Sequence, residues 1–496
     1  MNAPVQKQQQ QPKKPQTAIT PTRSDDFPQW YQEVIKAADL AENSAVRGCM
    51  TIKPYGYALW ENMQHVFDGW LKEYGIQNCA FPLLIPVSFL AKEAEHVEGF
   101  AKECAVVTHH RLESDGKGGL RPAPSAELEE PYVVRPTSET IIGDSMSRWV
   151  QSYRDLPLKL NQWCSVMRWE MRTRMFLRTS EFFWHEGHCA FKDHEGAKAD
   201  SLYIQDLYEK FFREYLAMPG IKGIKTPDER FPGADQTYSI ESLMQDGKAL
   251  QAATTHDLGQ NFSKSCNIKF QDENGKEQFA HTTSWAFSSR VIGSVIMMHG
   301  DDDGMIMPPM IAPQQVVIIP VLKGDADESI FKACADLCTA LKAKGIRVKV
   351  DDREMRTPDK MWDSIKKGIP LRVEIGGREA AEGNVTHVRR DIGKESKKSE
   401  AMGDFVNNAQ GILQTIHDDL YKRALDFQNS HIKDVASVDE MRAFFSDEAN
   451  IGFVRIDYSL VQGNDVMQKM KSDFSVTTRC LPHDDKGQKV LVGRSY

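Results

Sequence analysis

The sequence predicts a mixed α/β protein: an α+β core carried on an antiparallel sheet, then a unit of alternating strands and helices, then a smaller C-terminal α/β unit. Three observations predict it. Residues 162–191, QWCSVMRWEMRTRMFLRTSEFFWHEGHCAF, read as two strands joined by a cationic loop, the pattern of an antiparallel pair. From Gln314 onward strand and helix patterns alternate, and from about Asp404 a long helical pattern runs through Phe427.

Composition narrows the class. A chain of 496 residues suggests two to four domains. With 41% hydrophobic and 27% charged residues it reads as a soluble protein. No apolar run approaches the ~20 residues of a membrane helix, and the N-terminus lacks the apolar stretch of a secretory signal. Neither a membrane partner nor secretion is expected. Nine cysteines scattered singly argue against a disulfide framework and for a reducing compartment, so a cytoplasmic location is expected. A net charge of −8 and a pI near 6.0 do not mark a nucleic-acid binder, so any RNA contact must come from local basic patches.

In chain order, residues 1–22 include QKQQQQPKKPQ and read as a disordered Gln/Pro-rich tail. Residues 27–40 suit an amphipathic helix, and KPYGY at 53–57 reads as a turn. Leu59, Trp60, Met63, Val66, Phe67, Trp70, Leu71 and Tyr74 recur at helical spacing, with Gly75 as the C-terminal cap and a strand expected over 76–81. Residues 110–130 read as an exposed loop, and residues 200–216 as a helix.

In the hairpin, Arg168 and Glu170 are two residues apart, so in an extended segment both leave one face; Trp184, Glu186 and His188 repeat that spacing on the return run. Between them Arg172, Arg174 and Arg178 are too concentrated to be buried and suit phosphate. An Arg-x-Glu alone equally describes a solvated hairpin with surface ion pairs. The combination of RWE, a basic loop, FLRT, SEF and WHEGH resembles motif 2 of class II aminoacyl-tRNA synthetases, and specifically of prolyl-tRNA synthetases.

Other segments extend the resemblance over nearly all of residues 25–496. The helix–strand–proline order around residues 59–82 looks like motif 1, which in the family builds a homodimer interface, although a plain core helix looks the same. RPTSE at 135–139 resembles the proline-recognition loop and implies that Thr137 and Glu139 meet the ring nitrogen; in isolation Thr137 and Ser138 equally read as helix caps. QAATTHDLGQNFSK at 251–264 is similar to the segment whose Gln and Thr touch ATP and whose His closes the proline pocket, here Gln251, Thr254 and His256. HTTSWAFSSRVIGSVIMMHG at 281–300 reads as a strand and then a helix ended by Gly300, with Val291, Ile292, Val295 and Ile296 facing the core and Arg290 in the first turn. It resembles motif 3. Ala286 stands where the family usually has Gly, at a position lining the amino-acid pocket. Two patterns are decoys: HEGH at 185–188 lacks the spacing and helix of a zinc-protease motif, and GDDDG at 300–304 reads as a solvated turn rather than a metal site.

The alternating segment, with strands over 316–321, 346–351 and 371–375 and helices over 328–344 and 359–367, resembles the class IIa anticodon-binding domain. Lys366, Lys367, Arg372, Arg378, Arg389 and Arg390 are dense enough for an RNA face, against the alternative of a solvated one, and the resemblance places base reading at Arg372, Glu374 and Arg378. The expected division is a 1–22 tail, a 23–311 catalytic domain, a 312–403 anticodon-binding domain and a 404–496 C-terminal domain. Archaeal and eukaryotic-type members carry such a last domain, end in a similar tyrosine, and often bind zinc through four cysteines. Only Cys480 falls in that region here, one thiol cannot build a tetrahedral site, and no structural zinc is expected.

The resemblance implies a proline–tRNA ligase that uses L-proline, ATP with Mg²⁺, and tRNA(Pro). The substrate carboxylate is itself the nucleophile at the α-phosphorus, so catalysis is positioning and charge stabilisation. It implies Arg168, Arg290 and Glu170 as catalytic residues. Thr137, Glu139, Arg168, Trp184, Glu186, His188 and His256 would surround proline. Arg168, Glu170, Arg178, Thr179, Gln251, Thr254, Ser288 and Arg290 would hold the nucleotide. The interval from His188 to Ser284 is too short for the large editing insertion of bacterial-type members, so no editing in cis is expected. A ligase for another amino acid and a synthetase-like binding protein without ligase activity are the alternatives. The four residues Thr137, Glu139, His188 and His256 disfavour the first, and the presence of Arg168, Arg178 and Arg290 disfavours the second.

Overall fold

The computed structural model describes residues 17–91, 103–322, 328–463, 465–485 and 487–496. Helix α1 (Phe27–Ala37) is capped by Asp26, whose carboxylate accepts from Gln29 N. Helix α2 (Pro54–Glu73) buries Leu59, Trp60, Met63, Phe67 and Leu71, one face at spacings of three and four. It begins inside KPYGY: Lys53 is the N-cap and Pro54 the first helical residue, where a missing N–H costs nothing, so the turn expected there is a helix start. Gly75, at φ +86°, ends it. The strand that follows is only β1 (Gln77–Asn78). The loop expected over 110–130 instead contains a hairpin, Leu112–Ser114 with Leu120–Pro122, and the start of the strand Glu127–Val134.

Strands β2 (Leu158–Met167) and β3 (Glu181–Phe191) pair antiparallel, with Gln162 opposite Glu186. Helix α3 (Glu139–Trp149) precedes them, and helix α4 (His194–Leu216) follows, starting before the expected 200 with Asp193 as cap. Strands β4 (Ile221–Ile224), β5 (Gln236–Leu243), β6 (Ala249–Gly259) and β7 (His281–Ser288) complete the core, and helix α5 (Arg290–His299) leaves β7 directly. Val291, Ile292, Val295 and Ile296 of α5 are fully buried.

One sheet face meets α2, α4 and α5 through an aromatic core in which Phe67 and Phe211 lie against Phe287 at 5.2 and 5.6 Å. His185 points into this side, its imidazole between Asn161 Oδ1 and the Tyr208 hydroxyl, both at 2.9 Å. Burial pushes it down to about 3, so it is a neutral core residue. Gly187 is fixed by the same packing: a β-carbon there would fall about 2 Å from the Trp285 ring across the β3–β7 ladder.

The alternating unit contains β8 (Val316–Pro320), α6 (Glu328–Ala343), β9 (Val348–Val350), α7 (Thr357–Lys366), β10 (Leu371–Ile375), β11 (Asn384–Arg389) and β12 (Lys398–Ala401). Its mixed sheet has the order β9-β8-β10-β11-β12, parallel through its first three strands. Along β8, Val316 and Ile318 face the core with α6, while Val317 and Ile319 face Met361 of α7. The last unit begins with helix α8 (Met402–Ser430) and adds β13 (Ile432–Asp434), β14 (Phe453–Asp457), β15 (Val476–Pro482) and β16 (Lys489–Arg494). These strands join the catalytic sheet, because β15 pairs with β4 through Gly223–Pro482 and Ile224–Leu481. The result is an 11-stranded sheet in the order β13-β14-β16-β15-β4-β5-β6-β7-β3-β2-β1.

The turn at 301–303 is not the solvated loop expected of it. Arg390 grips both Asp301 carboxylate oxygens at 2.8 and 2.6 Å, Arg23 holds Asp302, and Ala18 N donates to Asp303. Three acidic residues thus fasten the N-terminal segment and the alternating unit to the end of α5. Of the span 1–22 read as a disordered tail, residues 1–16 lie outside the described residues. Residues 17–22 are packed, with Ile19 buried and its N–H donating to Asp302 O.

Candidate active site

On the sheet face opposite His185, Trp184, Glu186 and His188 of β3 line a cavity of about 300 Å³ together with Thr137, Glu139, Arg168, Gln251, Thr254, His256 and Ala286. The two-residue period of β3 aims all three the same way. The β7 register places Ala286 opposite Glu186 and Ser284 opposite His188, and β6 places Thr254 opposite Ala286. The methyl group of Ala286 therefore belongs to the cavity floor.

Glu186 is buried and fully engaged. Its carboxylate accepts from Ser138 Oγ, from Gln162 Nε2 at 2.6 Å and from His188 Nε2 at 3.1 Å. Burial works against its charge, but the His188, Ser138 and Gln162 hydrogen bonds outweigh it and hold the carboxyl below its usual range. Burial likewise disfavours charge on His188, and Glu186 and then Glu139 reverse this, raising the imidazole above its ordinary value. His256 goes the other way: burial and the neighbouring His188 push it down to about 3, and its Nδ1 pairs with Thr237 Oγ1 at 3.0 Å. The two imidazoles are thus shifted in opposite directions. Glu139 accepts from Thr137 Oγ1 and faces the cavity.

Arg168 follows the last residue of β2, so it and Glu170 leave the irregular segment after the strand rather than the strand face expected of them. Its N–H is held by Ser180 O and its Nε donates to Pro136 O at 3.0 Å. Its guanidinium lies 5.2 Å from the Trp184 ring and 5.7 Å from Phe182. Burial and the nearby Arg290 push it down to about 10 against the pull of Glu139, so it is cationic at neutral pH.

Arg168 also lines a second cavity of about 330 Å³ with Glu103, Glu170, Phe182, Arg178, Thr179, Ser288 and Arg290. Arg290, the first residue of α5, donates through Nε to Leu177 O at 3.2 Å. Arg178 donates to the backbone oxygen of Tyr496 at 3.2 Å, which brings the end of the last unit to this cavity. Glu170 accepts from Arg172 N, and Thr179 Oγ1 donates to Glu181 O. In the cationic loop Arg172 and Arg178 are exposed, but Phe176 and Leu177 between them are buried and pin it to the core. Phe182 and Arg290 present a flat ring and a planar cation to one space, a combination suited to a base beside phosphates.

Sequence reasoning missed part of the first cavity. Residues 225–237 supply Lys225, Glu229, Arg230, Phe231, Pro232 and Thr237, with the Phe231 ring 4.5 Å from His256. This stretch, KTPDERFPGADQT, has no period to read, and only its mix of a ring and cations among turn residues marks it. Of the residues proposed for base reading, Arg372 and Glu374 bond to each other at 3.0 Å on β10, whereas Arg378 is exposed on a short helix. Arg372, Arg389 and Arg390 line a third cavity, of about 560 Å³, with Trp362 and Lys394. Lys366 and Arg378 are not among its walls.

Fold and cavities together have the architecture of a class II aminoacyl-tRNA synthetase. The family model of the tRNA synthetase class II core domain (G, H, P, S and T) matches residues 124–299, and that of the anticodon binding domain matches residues 315–409. The chain is 52% identical over 479 residues to the proline–tRNA ligase of Bdellovibrio bacteriovorus, covering 95% of each. It is 50% identical over 493 residues to that of Akkermansia muciniphila, covering 97% of each. The prolyl-tRNA synthetase of Cryptosporidium parvum complexed with halofuginone and AMPPNP has the same fold, with a TM-score of 0.87 at 35% identity over 97% of this chain and 99% of that one. The same enzyme complexed with L-proline and AMP gives 0.87 at 33% identity, covering 97% of each. The chain belongs to the prolyl-tRNA synthetase family, and it is an aminoacyl-tRNA ligase.

Proposed function

We propose that the chain activates L-proline with ATP, releasing pyrophosphate, and transfers the prolyl group to the 3′ end of tRNA(Pro). The carrying observation is that Arg168 lines both cavities. An amino acid in the first and a nucleotide in the second meet at its guanidinium, which binds the attacking carboxylate and the α-phosphate and holds them in line. No protein base is needed, because the carboxylate is already ionised. Arg168 and Arg290 stabilise the charge that builds on the phosphate.

In the amino-acid cavity the His188 imidazole engages Glu186, leaving Glu139 and Thr137 for the two N–H groups of the prolinium nitrogen. Trp184 and His256 flank the ring, and Ala286 limits the floor. On the nucleotide side Arg178 and Arg290 hold the outer phosphates while Glu170, Thr179 and Ser288 orient the adenosine, and Gln251 and Thr254, which line the first cavity, meet the nucleotide from that side. Mg²⁺ fits this donor set, since it binds few carboxylates and completes its shell with substrate phosphates. Glu170 and Gln251 supply hard oxygens at the two cavities. When bound, the ion neutralises the outer phosphates.

The four-part division at residues 22, 311 and 403 is supported by the self-contained sheet of β8–β12, and anticodon reading by the third cavity for Arg372, which lines it and holds Glu374, whereas Arg378 stands outside its walls. A subtype without the editing insertion is supported by the interval between β3 and β7, which α4, β4, β5, β6, a short helix and a small hairpin fill. A zinc site in the last unit does not fit, because Cys480 is buried among Leu243, Ala249, Phe453 and Leu491. A homodimer is supported by the apolar edge after β1, where Leu83, Leu84 and Trp149 are exposed. Cytoplasmic residence is supported by nine cysteines of which none forms a disulfide, and no helix among the described residues is long and apolar enough to cross a membrane.

Pyrophosphate exchange into ATP across all twenty amino acids tests the reading. Proline is expected to drive exchange, and no exchange in the folded protein, or exchange driven by another amino acid alone, overturns it.

A further inference from the structure

One buried amide stands behind the amino-acid cavity and touches several of the segments that build it. Gln162 on β2 is 2% exposed and lies opposite Glu186 of β3. Its Nε2 donates to Glu186 Oε1 at 2.6 Å and to Ser138 Oγ at 3.0 Å, and its Oε1 accepts from the backbone N–H of Phe81 at 3.2 Å. The Phe81 peptide is itself clamped, because its carbonyl accepts from Arg135 Nη1 at 3.2 Å. Gln162 does not line the cavity.

These bonds have only one direction open to them. A backbone N–H can only donate, so the amide oxygen of Gln162 faces Phe81 and its NH₂ faces Glu186. Ser138 Oγ accepts one of the amide hydrogens, and its own hydrogen goes to Glu186. Cys164 Sγ accepts from Trp184 Nε1 at 3.2 Å and turns its S–H to the same carboxylate oxygen at 3.5 Å. Three donors converge on Oε1, while Oε2 meets His188 Nε2. Glu139 has a different setting: among the described residues its carboxylate takes a side-chain hydrogen bond only from Thr137. Two carboxylates in one site take different roles when their surroundings differ in this way.

We propose that Gln162 is a positioning residue for proline: its amide, oriented by the Phe81 N–H, holds Glu186 as an internal anion for His188 and so leaves Glu139 as the carboxylate that meets the substrate nitrogen. The second amide hydrogen extends the hold to Ser138, which stands between Thr137 and Glu139 in the chain. This deepens the proposed function and rests on its placing proline in the first cavity.

The test compares Gln162→Met, which keeps the length and loses the donor, with Gln162→Glu, which keeps the shape and replaces the donor by an acceptor. Proline and, separately, AMPPNP with Mg²⁺ are titrated calorimetrically into each full-length protein from about pH 6 to about pH 8.5, the range in which a buried carboxyl with a raised value titrates. Gln162→Met is expected to bind proline at least about 10-fold more weakly at every pH, the lower end for a hydrogen bond to a charged group. AMPPNP affinity is expected to change by less than about threefold. In Gln162→Glu two carboxyl groups share a proton, which raises the upper of their values. Below that value the shared proton replaces the missing donor, and above it two anions repel. Proline affinity should therefore stay within about threefold of wild type at the acid end and fall at least about 10-fold below it toward the alkaline end. The other charged and titratable groups here are His188, Cys164, Arg168 and Glu139, with Arg135 and His256 beyond them. They are common to both proteins, so the ratio to wild type isolates the new pair.

A role in packing alone would tolerate Gln162→Glu at every pH. Unchanged proline affinity in folded Gln162→Met, a Gln162→Glu variant that follows wild type across the range, or an equal loss for AMPPNP each overturns the proposal. Gln162→Met decides it if Gln162→Glu does not fold. Urea unfolding of ligand-free Gln162→Glu needs no proline: the folded value is raised, so stability relative to wild type is expected to fall as pH rises through it. Wild-type protein that does not bind proline refutes the proposed function, and the unfolding series then still shows whether Gln162 holds Glu186 by donation, a difference from wild type independent of pH overturning it.

Discussion

The catalytic cavities and the cavity of the alternating unit are both lined by arginines, and they differ in what those arginines hold. In the catalytic half the Nε hydrogen bond of Arg290 goes to the backbone carbonyl of Leu177. A neutral partner orients a guanidinium without cancelling its charge, so Arg290 is set for phosphate. In the alternating unit Arg372 holds Glu374, Arg389 holds Asp391 and Asp419, and Arg390 holds Asp301. Those charges are answered within the fold. The density of cations in that sequence overstates its positive field, and what remains is a set of fixed hydrogen-bond donors and acceptors, better suited to base edges than to backbone phosphates. The same residue type acts as a charge in one region and as a template in the other.

The comparison breaks most sharply at Arg290. Arg290→Gln is expected to lower proline-dependent exchange by about 10²- to 10³-fold, as for loss of one oxyanion donor, whereas Arg390→Gln is expected to lower tRNA aminoacylation more than exchange. Comparable losses of exchange from both substitutions would erase the distinction. Gly187→Ala is next. The new methyl group must displace Trp285, with an expected cost of about 1–3 kcal/mol in urea unfolding and weakened proline binding as β3 shifts. A neutral substitution would mean that the floor is looser than its packing implies.

Asp301→Asn leaves Arg390 without its charged partner and is expected to cost about 1–3 kcal/mol, below the value for a fully buried pair because Asp301 is partly exposed. Calorimetry that resolves the alternating unit melting separately in this variant would identify the contact as the clasp between the two halves.

Proton linkage gives a smaller effect, centred on His188 and Glu186. His188 has a raised value in the fold, so its contribution is complete below its unfolded value and is lost as pH rises through the raised one. Glu186 is depressed, so its contribution is present above the usual carboxylate value and is lost as pH falls through the depressed one. Stability in chemical unfolding should be flat between the usual carboxylate and imidazole values and decline beyond each, and His188→Gln should abolish the part of the alkaline decline that His188 contributes. The smallest effect is expected at Arg378, exposed and, among the described residues, joined only to Glu379: Arg378→Ala should alter stability by less than about 0.5 kcal/mol and reduce the salt slope of tRNA binding by about 0.7.

Much of the catalytic floor was legible because a strand writes its faces with a period of two. Trp184, Glu186 and His188 share the cavity, and His185 between them faces the core. The helix of Arg290 was legible through its apolar period. Residues 225–237 were not, since a loop that lines a cavity carries no period. Nor was the junction of β15 with β4, because pairing between residues far apart in the chain leaves no local mark. Asp301 to Asp303 misled for a related reason: three aspartates after a helix look solvated until Arg23 and Arg390 arrive from opposite ends of the sequence.

The central claim is that one guanidinium, that of Arg168, serves both cavities. The most direct measurement is the affinity of proline, of AMPPNP and of a non-hydrolysable prolyl-adenylate mimic for wild type and Arg168→Ala. Weakened binding of both separate ligands, with a loss of about 10²- to 10³-fold for the mimic, is the predicted result. Weakening of only one of the two separate ligands would place Arg168 in a single cavity and contradict the account.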